Sequence, residues 1–188
     1  YFSKRQLMNT ISNKNHFVID FDSTFTSVEA LDILGEISLA EHPEKEKRLK
    51  RIKDVTDLGM SGELSLRESL EARIEILDAK EEHLSELVNR LRKLISKSVF
   101  RNHDFFKANA DNTYIVSNGF RDFIVPVVSE LGIKAEHVFA NEFVYDEEKN
   151  IIDFDRNNVL SENGGKVKQI QHLELEGDIH MIGDGYTD

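Results

Sequence analysis

Phe17-Val18-Ile19-Asp20-Phe21-Asp22-Ser23-Thr24 is the stretch on which the rest of the chain turns. Three apolar residues, two of them β-branched and bounded by polar neighbours, read as a short buried strand of a parallel sheet. The strand runs straight into an acidic turn. Asp20 and Asp22 alternate, so on an extended backbone their side chains would face opposite ways. A turn that begins here brings both to one ligand. A calcium loop of the EF-hand kind is excluded: Phe25 holds the sixth position, where Gly is needed, and Leu31 the twelfth, where Glu is needed.

Outward from this strand the texture divides in two. Residues 34–98 carry no strand signal and about four amphipathic helices, enough for a small bundle. Leu34 and Ile37 continue a helix over 28–39, and a charged helical pattern covers 43–58. Ser65-Leu66-Arg67-Glu68 is a capping box opening a helix with Leu66, Leu70, Ile74 and Leu77 on one side. Leu84, Leu87, Leu91 and Leu94 mark another over 82–94. From Thr113 the pattern alternates: strands at 113–116, 138–140 and 180–182, helices over 121–131 and 165–173, and a hairpin over 143–154. Pro126 is expected near the first turns of its helix. Alternating strands and helices predict an α/β fold with a parallel sheet, interrupted after its first strand by the helical bundle.

Composition narrows the function classes. At ~150 residues per domain, 188 residues make one domain, or one with an inserted module. The hydrophobic share of 39% suffices for a packed core. A formal net charge of -11 argues against a nucleic-acid or anionic-membrane binder, leaving room only for a local basic pocket. Without cysteine, disulfides, thiolate metal sites and cysteine nucleophiles are all excluded, and a cytoplasmic setting is expected. No apolar run approaches ~18 residues, so no membrane span is predicted, and no signal peptide is visible. Residues 1–15 read as a polar leader, with Met8 a candidate start. Asp188 falls inside a strand-to-loop transition, which reads as a fragment or a processed chain.

Three polar clusters follow apolar strands: Asp20 to Thr24, Ser117-Asn118-Gly119, and Asp184-Gly185-Tyr186-Thr187-Asp188. In an open parallel sheet the carboxyl ends of the strands form the ligand crevice. Asp20, Asp22, Asp184 and Asp188 together make a four-carboxylate site, hard to keep ionised without a cation. Oxygen-only ligation selects Mg²⁺ or Ca²⁺ over Zn²⁺, and Mg²⁺ completes its shell with water and phosphate oxygens, so a phosphorylated substrate follows. The Ser117 hydroxyl and the amides of Asn118 and Gly119 offer donors to phosphate. Lys166, after Gly164-Gly165 at a helix start, adds an ammonium and a positive helix end. It is not a P-loop, since Val167 stands where Ser or Thr is required. The seven histidines show no paired metal spacing.

The ordered set Asp-x-Asp-x-Thr, Ser with Gly, Lys, then Gly183-Asp184-Gly185-Tyr186-Thr187-Asp188 resembles the haloacid dehalogenase superfamily of phosphohydrolases, and within it the phosphoserine phosphatases. Val138-Phe139-Ala140-Asn141 and Glu162-Asn163-Gly164-Gly165-Lys166 belong to the same resemblance, which runs from about His16 to Asp188. It implies a Rossmann-like parallel-sheet core (16–33 and 99–188) with an inserted helical-bundle cap (34–98). It implies Mg²⁺-dependent hydrolysis of a small phosphomonoester, phosphoserine first. Asp20 would be the nucleophile and Asp22 the acid and base, with Ser117 and Lys166 on the phosphoryl oxygens. Asp20, Asp22 through its carbonyl, Asp184 and Asp188 would be the metal ligands. Glu29, Met60, Arg73, Asn118, Gly119 and Thr187 join Ser117 in substrate binding: Arg73 can fork onto a carboxylate, and Glu29 can pair with an ammonium. Another phosphomonoester, phosphoryl transfer to an alcohol, and a non-catalytic domain of a longer chain remain alternatives. The chain departs from the family pattern in Asn118, where Gly is usual, in a longer cap that includes the basic run Lys45 to Lys53, and in ending before the family core does.

Overall fold

The computed structural model describes residues 14–185. Strand β1 (Asn15–Ile19) carries Val18 and Ile19 into the interior, one to each face of the sheet. It ends in a tight turn over Phe21–Phe25, in which Ser23 takes a left-handed φ of 56° and the Thr26 N–H closes onto the Phe21 carbonyl at 3.0 Å. Helices α1 (Ala30–Ser38), α2 (Lys45–Ser61), α3 (Leu66–Leu77) and α4 (His83–Lys93) follow.

Each helix forms for a local reason. In α2, Ile52 and Val55 turn inward while the Lys45 to Lys53 run is largely solvated, with exposed pairs at Lys47–Glu44 and Lys50–Asp54. The helix stops at Gly62, whose φ of 79° suits glycine. In α3 the capping box is formed: the Ser65 N–H donates to Glu68 at 2.8 Å, and the Glu68 N–H to Ser65 Oγ at 3.2 Å. Leu70, Ile74 and Leu77 are buried along one side of α3, Leu87 and Leu91 along one side of α4.

Residues 97–108, which carried no helical signal, form two short helices, α5 (Lys97–Arg101) and α6 (His103–Ala108). They span five and six residues, too few for a period to show, and are anchored by single buried groups, Val99 and Phe106. Strand β2 (Thr113–Phe120) runs past the expected end at Val116, so Ser117, Asn118 and Gly119 lie within it. Its pairing with the next strand shifts between Val116 and Phe120, a local irregularity of the kind that re-aims side chains. Helix α7 (Arg121–Val128) holds Pro126 at its sixth residue, deeper than expected, and continues as a 3₁₀ turn to Leu131. Then come β3 (Val138–Asn141), the hairpin β4 (Phe143–Tyr145) with β5 (Ile151–Phe154), α8 (Gly165–His172) and β6 (Asp178–Ile182).

The sheet has the order β3-β2-β1-β6, with every pairing parallel. Phe17 lies opposite Thr113 on one side of β1 and His180 on the other. One large apolar cluster covers one face, joining Ile19, Phe21 and Ile115 to α1, α3, α4 and α7. A smaller one on the opposite face joins Val18 and Val116 to Leu160 and to Ile170 of α8. This is the doubly wound α/β arrangement, and the chain reverses direction across the sheet at β1, between β2 and β6. The chain leaves the sheet at Thr26 and returns at Ile95. These two residues pair in an isolated antiparallel bridge, flanked by Ser27 N–H to Leu94 O and Ser96 N–H to Phe25 O, both 2.9 Å. Among the described residues no helix is long and apolar enough to cross a membrane.

Candidate active site

The switch point of such a sheet leaves a crevice at the carboxyl ends of its strands. A cleft of about 440 Å³ opens there, lined by Asp20, Asp22, Glu29, Met60, Arg73, Ser117, Asn118, Gly119, Lys166 and Asp184. Ten expected site residues thus share one cavity; Thr187 and Asp188 lie outside the described residues. A second hollow of about 530 Å³, beside Arg92, Lys97 and Phe100, has no carboxylate or hydroxyl side chain on its walls.

Asp20 is placed by backbone. Its N–H continues the β1–β6 ladder to the Ile182 carbonyl at 2.9 Å, and its Oδ1 accepts from the Phe21 N–H at 2.8 Å. Its Oδ2 meets Lys166 Nζ at 2.9 Å, with both side chains almost fully buried. Lys166 reaches this position because α8 begins against the turn before it. A Cβ on Gly165 would lie 2.0 Å from the Val159 carbonyl oxygen, so only glycine lets the helix start there. Such a buried pair is expensive to separate, because each charge would lose a close counter-charge away from water.

Asp22 follows the turn. Its Oδ1 accepts from the N–H of Ala30, the first residue of α1, at 2.8 Å. Its Oδ2 would lie 3.0 Å from a Cβ on Gly119, and Ser117 Oγ 3.2 Å from the same point, so a side chain there would press on both. Burial, foremost, and then the charge of Glu29 push the Asp22 carboxyl well above the usual carboxylate range; the Ala30 amide opposes this, and the nearby Asp20 adds to it. A carboxyl pushed up in pKa beside a lysine-paired neighbour is the kind of environmental split that can give two carboxylates different roles. Ser117 is buried, and its Oγ accepts from the Gly119 N–H at 3.0 Å.

The helices supply the opposite wall. Arg73 is buried, with Nε bonded to the Ser69 carbonyl of its own helix at 3.3 Å. Burial lowers its basicity, while Glu29 first, then Asp22 and Asp32, hold it charged. Glu29 accepts from Ser23 Oγ at 2.7 Å. Met60 is 75% exposed at the mouth. Asp184 accepts from Thr24 Oγ1 at 3.1 Å. Among the described residues no group of three acidic or histidine side chains gathers as a metal cage. The oxygen donors Asp20, the Asp22 carbonyl and Asp184, on adjacent strand ends, still suit a hard cation that keeps several waters.

Three contributors escaped the sequence reading. Asp32 acts on Arg73, and its own carboxyl is pushed up, chiefly by burial and against the pull of that arginine. Its place in the first turn of α1, three residues after Glu29 at the helix N-cap, was the available signal. Asn163 Oδ1 accepts the Leu66 N–H at 2.8 Å, and Arg67 donates to the Arg156 carbonyl at 2.9 Å and to Ser161 Oγ at 3.1 Å, tying α3 to the loop before Lys166. Nothing in the sequence links residues 66 and 163.

The family model described as haloacid dehalogenase-like hydrolase matches residues 17–188. The chain belongs to this family. Among its relatives, it is 34% identical to the chloroplastic phosphoserine phosphatase of Arabidopsis thaliana over 90% of this chain and 56% of that one. It is 32% identical to the phosphoserine phosphatase of Drosophila melanogaster over 90% of this chain and 61% of that one. The haloacid dehalogenase-like chain thus spans less than two thirds of these curated relatives. A phosphoserine phosphohydrolase-like protein from Francisella tularensis subsp. tularensis SCHU S4 superposes with a TM-score of 0.78 at 27% identity, covering 93% of this chain and 80% of that one.

Proposed function

We propose that this haloacid dehalogenase-like chain is a Mg²⁺-dependent phosphoserine phosphatase, converting O-phospho-L-serine and water to L-serine and phosphate. The observation that carries the reading is the arrangement of Asp20 and Asp22 in one cleft. One carboxylate is paired with buried Lys166 at 2.9 Å, and the other, which accepts the Ala30 N–H at 2.8 Å, has its hold on a proton strengthened by burial and by Glu29. The curated relatives named phosphoserine phosphatase support the choice of substrate.

The Asp20 carboxylate attacks phosphorus, and the bond from phosphorus to the serine oxygen breaks. Asp22 gives its proton to that oxygen, and serine leaves. Water then attacks the phosphorus of the aspartyl-phosphate. Asp22, now ionised, takes the proton, and phosphate departs with Asp20 restored. Ser117 and Lys166 hold the phosphoryl oxygens as charge develops on them. Asp20, the Asp22 carbonyl and Asp184 would hold Mg²⁺, with Asp188 a further ligand, and the ion when bound neutralises phosphoryl charge. Arg73 takes the serine carboxylate and Glu29 its ammonium; Met60 and Thr187 close on the substrate. The helical insert acts as the cap. The pairing of Thr26 with Ile95 supports a crossing into the insert near those residues.

The test is phosphate release from phosphoserine, phosphoethanolamine, glycerol phosphate and p-nitrophenyl phosphate. Phosphoserine is expected to be the best of the four. Turnover of the artificial ester with none of phosphoserine would keep the chemistry and discard the substrate. Excess EDTA is expected to abolish release from all four, with Mg²⁺ restoring it; full activity in EDTA would remove the metal from the reading.

A further inference from the structure

Asn118 stands where the family pattern carries glycine, in the strand segment that faces the proposed phosphate site. Its side-chain amide is committed elsewhere: Nδ2 donates to the Leu160 carbonyl at 2.7 Å. Two other asparagines work on the same turn. Asn141 Nδ2, fully buried, donates to the Asn118 carbonyl at 2.8 Å and to the Leu160 carbonyl at 3.2 Å. Asn158 Oδ1 accepts the Leu160 N–H at 2.9 Å, and its Nδ2 donates to the Ala140 carbonyl at 2.8 Å. Leu160 is therefore held through both its main-chain groups, from β2, from the end of β3 and from its own turn.

This turn carries the start of α8. The backbone at Gly165 touches the Val159 carbonyl so closely that no side chain fits between them, and the Gly165 N–H donates to the Glu162 carbonyl at 3.0 Å. The next residue is Lys166. Displacing Leu160 away from β2 would carry Val159, Gly165 and the lysine with it, since the contacts between them are already closed. A displacement well under an ångström matters when a charged group must meet a transferring phosphoryl group.

We propose that the Asn118 side chain is a positioning residue for Lys166, locking the Val159–Ser161 turn to β2 so that the ammonium is aimed at the phosphoryl group on Asp20. This role rests on the phosphatase reading. It also means that Asn118 serves the phosphate end of the cleft and takes no part in choosing the rest of the substrate.

The test uses the full chain with Asn118→Ala, which removes the donor, and Asn118→Asp, which sets an acceptor against the Leu160 carbonyl. Both are studied where circular dichroism reports them folded. Two quantities are read: kcat/KM on phosphoserine and on p-nitrophenyl phosphate, and the rates at which acetic anhydride modifies Lys166 and Lys168, by peptide mass spectrometry. For Asn118→Ala, kcat/KM should fall about tenfold on both esters, the scale of one hydrogen bond to a part-buried carbonyl, with their ratio unchanged. Lys166 modification should rise several-fold in both variants while Lys168, exposed on the same helix, stays constant. Unchanged Lys166 modification would overturn the tie, and a loss confined to phosphoserine would move Asn118 to the serine subsite. If the unsubstituted chain hydrolyses neither ester, the phosphatase reading fails by itself, and selective Lys166 modification still reports whether the tie exists.

Discussion

At the sheet end of the cleft, Asp20, Ser117 and Lys166 are 7%, 1% and 4% exposed, and Asp20 is held by the strand ladder itself. At the helical end, Met60 is 75% exposed, and Arg73 leans on its own helix through a single hydrogen bond. The sheet end is set by backbone pairing that cannot shift without unpicking strands. The helical end is set by side-chain ties such as Arg67 to Ser161 and Leu66 to Asn163. Phosphate chemistry needs a rigid frame, and a site that admits and releases a substrate needs one wall that can give. The two ends should therefore fail differently.

The largest effect is expected at the sheet end. Asp20→Asn removes the proposed nucleophile and the carboxylate that lies 2.9 Å from the Lys166 ammonium. Turnover of phosphoserine and of p-nitrophenyl phosphate should both fall by ~10⁴-fold or more. Phosphate release with deamidation excluded by mass spectrometry checks this; near-normal turnover would end the covalent mechanism. Asp22→Asn keeps an oxygen for the Ala30 N–H, so the fold should survive while acid–base help is lost, at ~10²–10⁴-fold on both esters. A smaller loss on the p-nitrophenyl ester is consistent, because that leaving group needs little protonation, whereas a smaller loss on phosphoserine is not.

At the helical end the two substrates should part. Arg73→Ala should lower kcat/KM on phosphoserine by ~10²-fold, the scale of a charge-assisted contact, and hardly change the p-nitrophenyl ester, which has no carboxylate. Equal losses on both would mean that Arg73 serves the fold or the phosphate, and the contrast between the two ends would collapse. The smallest effect belongs to Arg67→Ala, which cuts ties from α3 to the loop before Lys166. A rise in KM of about threefold is expected, with kcat little changed, because Arg67's ties, its pair with Glu162 at 3.3 Å included, are partly solvated and contribute little. Hydrogen exchange should quicken in α3 and not in β1. Faster exchange in β1 would show that the wall and the frame are one cooperative unit.

Much of this site was legible from residue order. The strand at Phe17 to Ile19, the capping box at Ser65 and the acidic turn after Asp20 are local features, and local sterics and hydrogen bonding decide them. What was not legible was short or non-local. Helices α5 and α6 span too few residues for a period. The extension of β2 through Phe120 depends on pairing with β3, which no window around Ser117 contains. Glu29 came from the family resemblance, which assigned no role to Asp32, and the effect of Asp32 on Arg73 required knowing that α1 and α3 approach each other.

The sequence by itself determined which groups the protein can bring to chemistry: oxygen donors, one ammonium, one guanidinium, no thiol, and glycines where a side chain would collide. It also determined the alternation of strands and helices, because side-chain period and turn chemistry act over a few residues. Only the tertiary structure decided that Asp20 pairs with Lys166 across 146 positions of chain at 2.9 Å. The same holds for the Asp22 carboxyl, pushed up by burial and by Glu29, and for the Asn118 amide, spent on the Leu160 carbonyl. Those outcomes depend on distance and desolvation. Both are properties of the packed molecule, since the energy of a charge or a hydrogen bond is set by what surrounds it in space rather than by its neighbours along the chain.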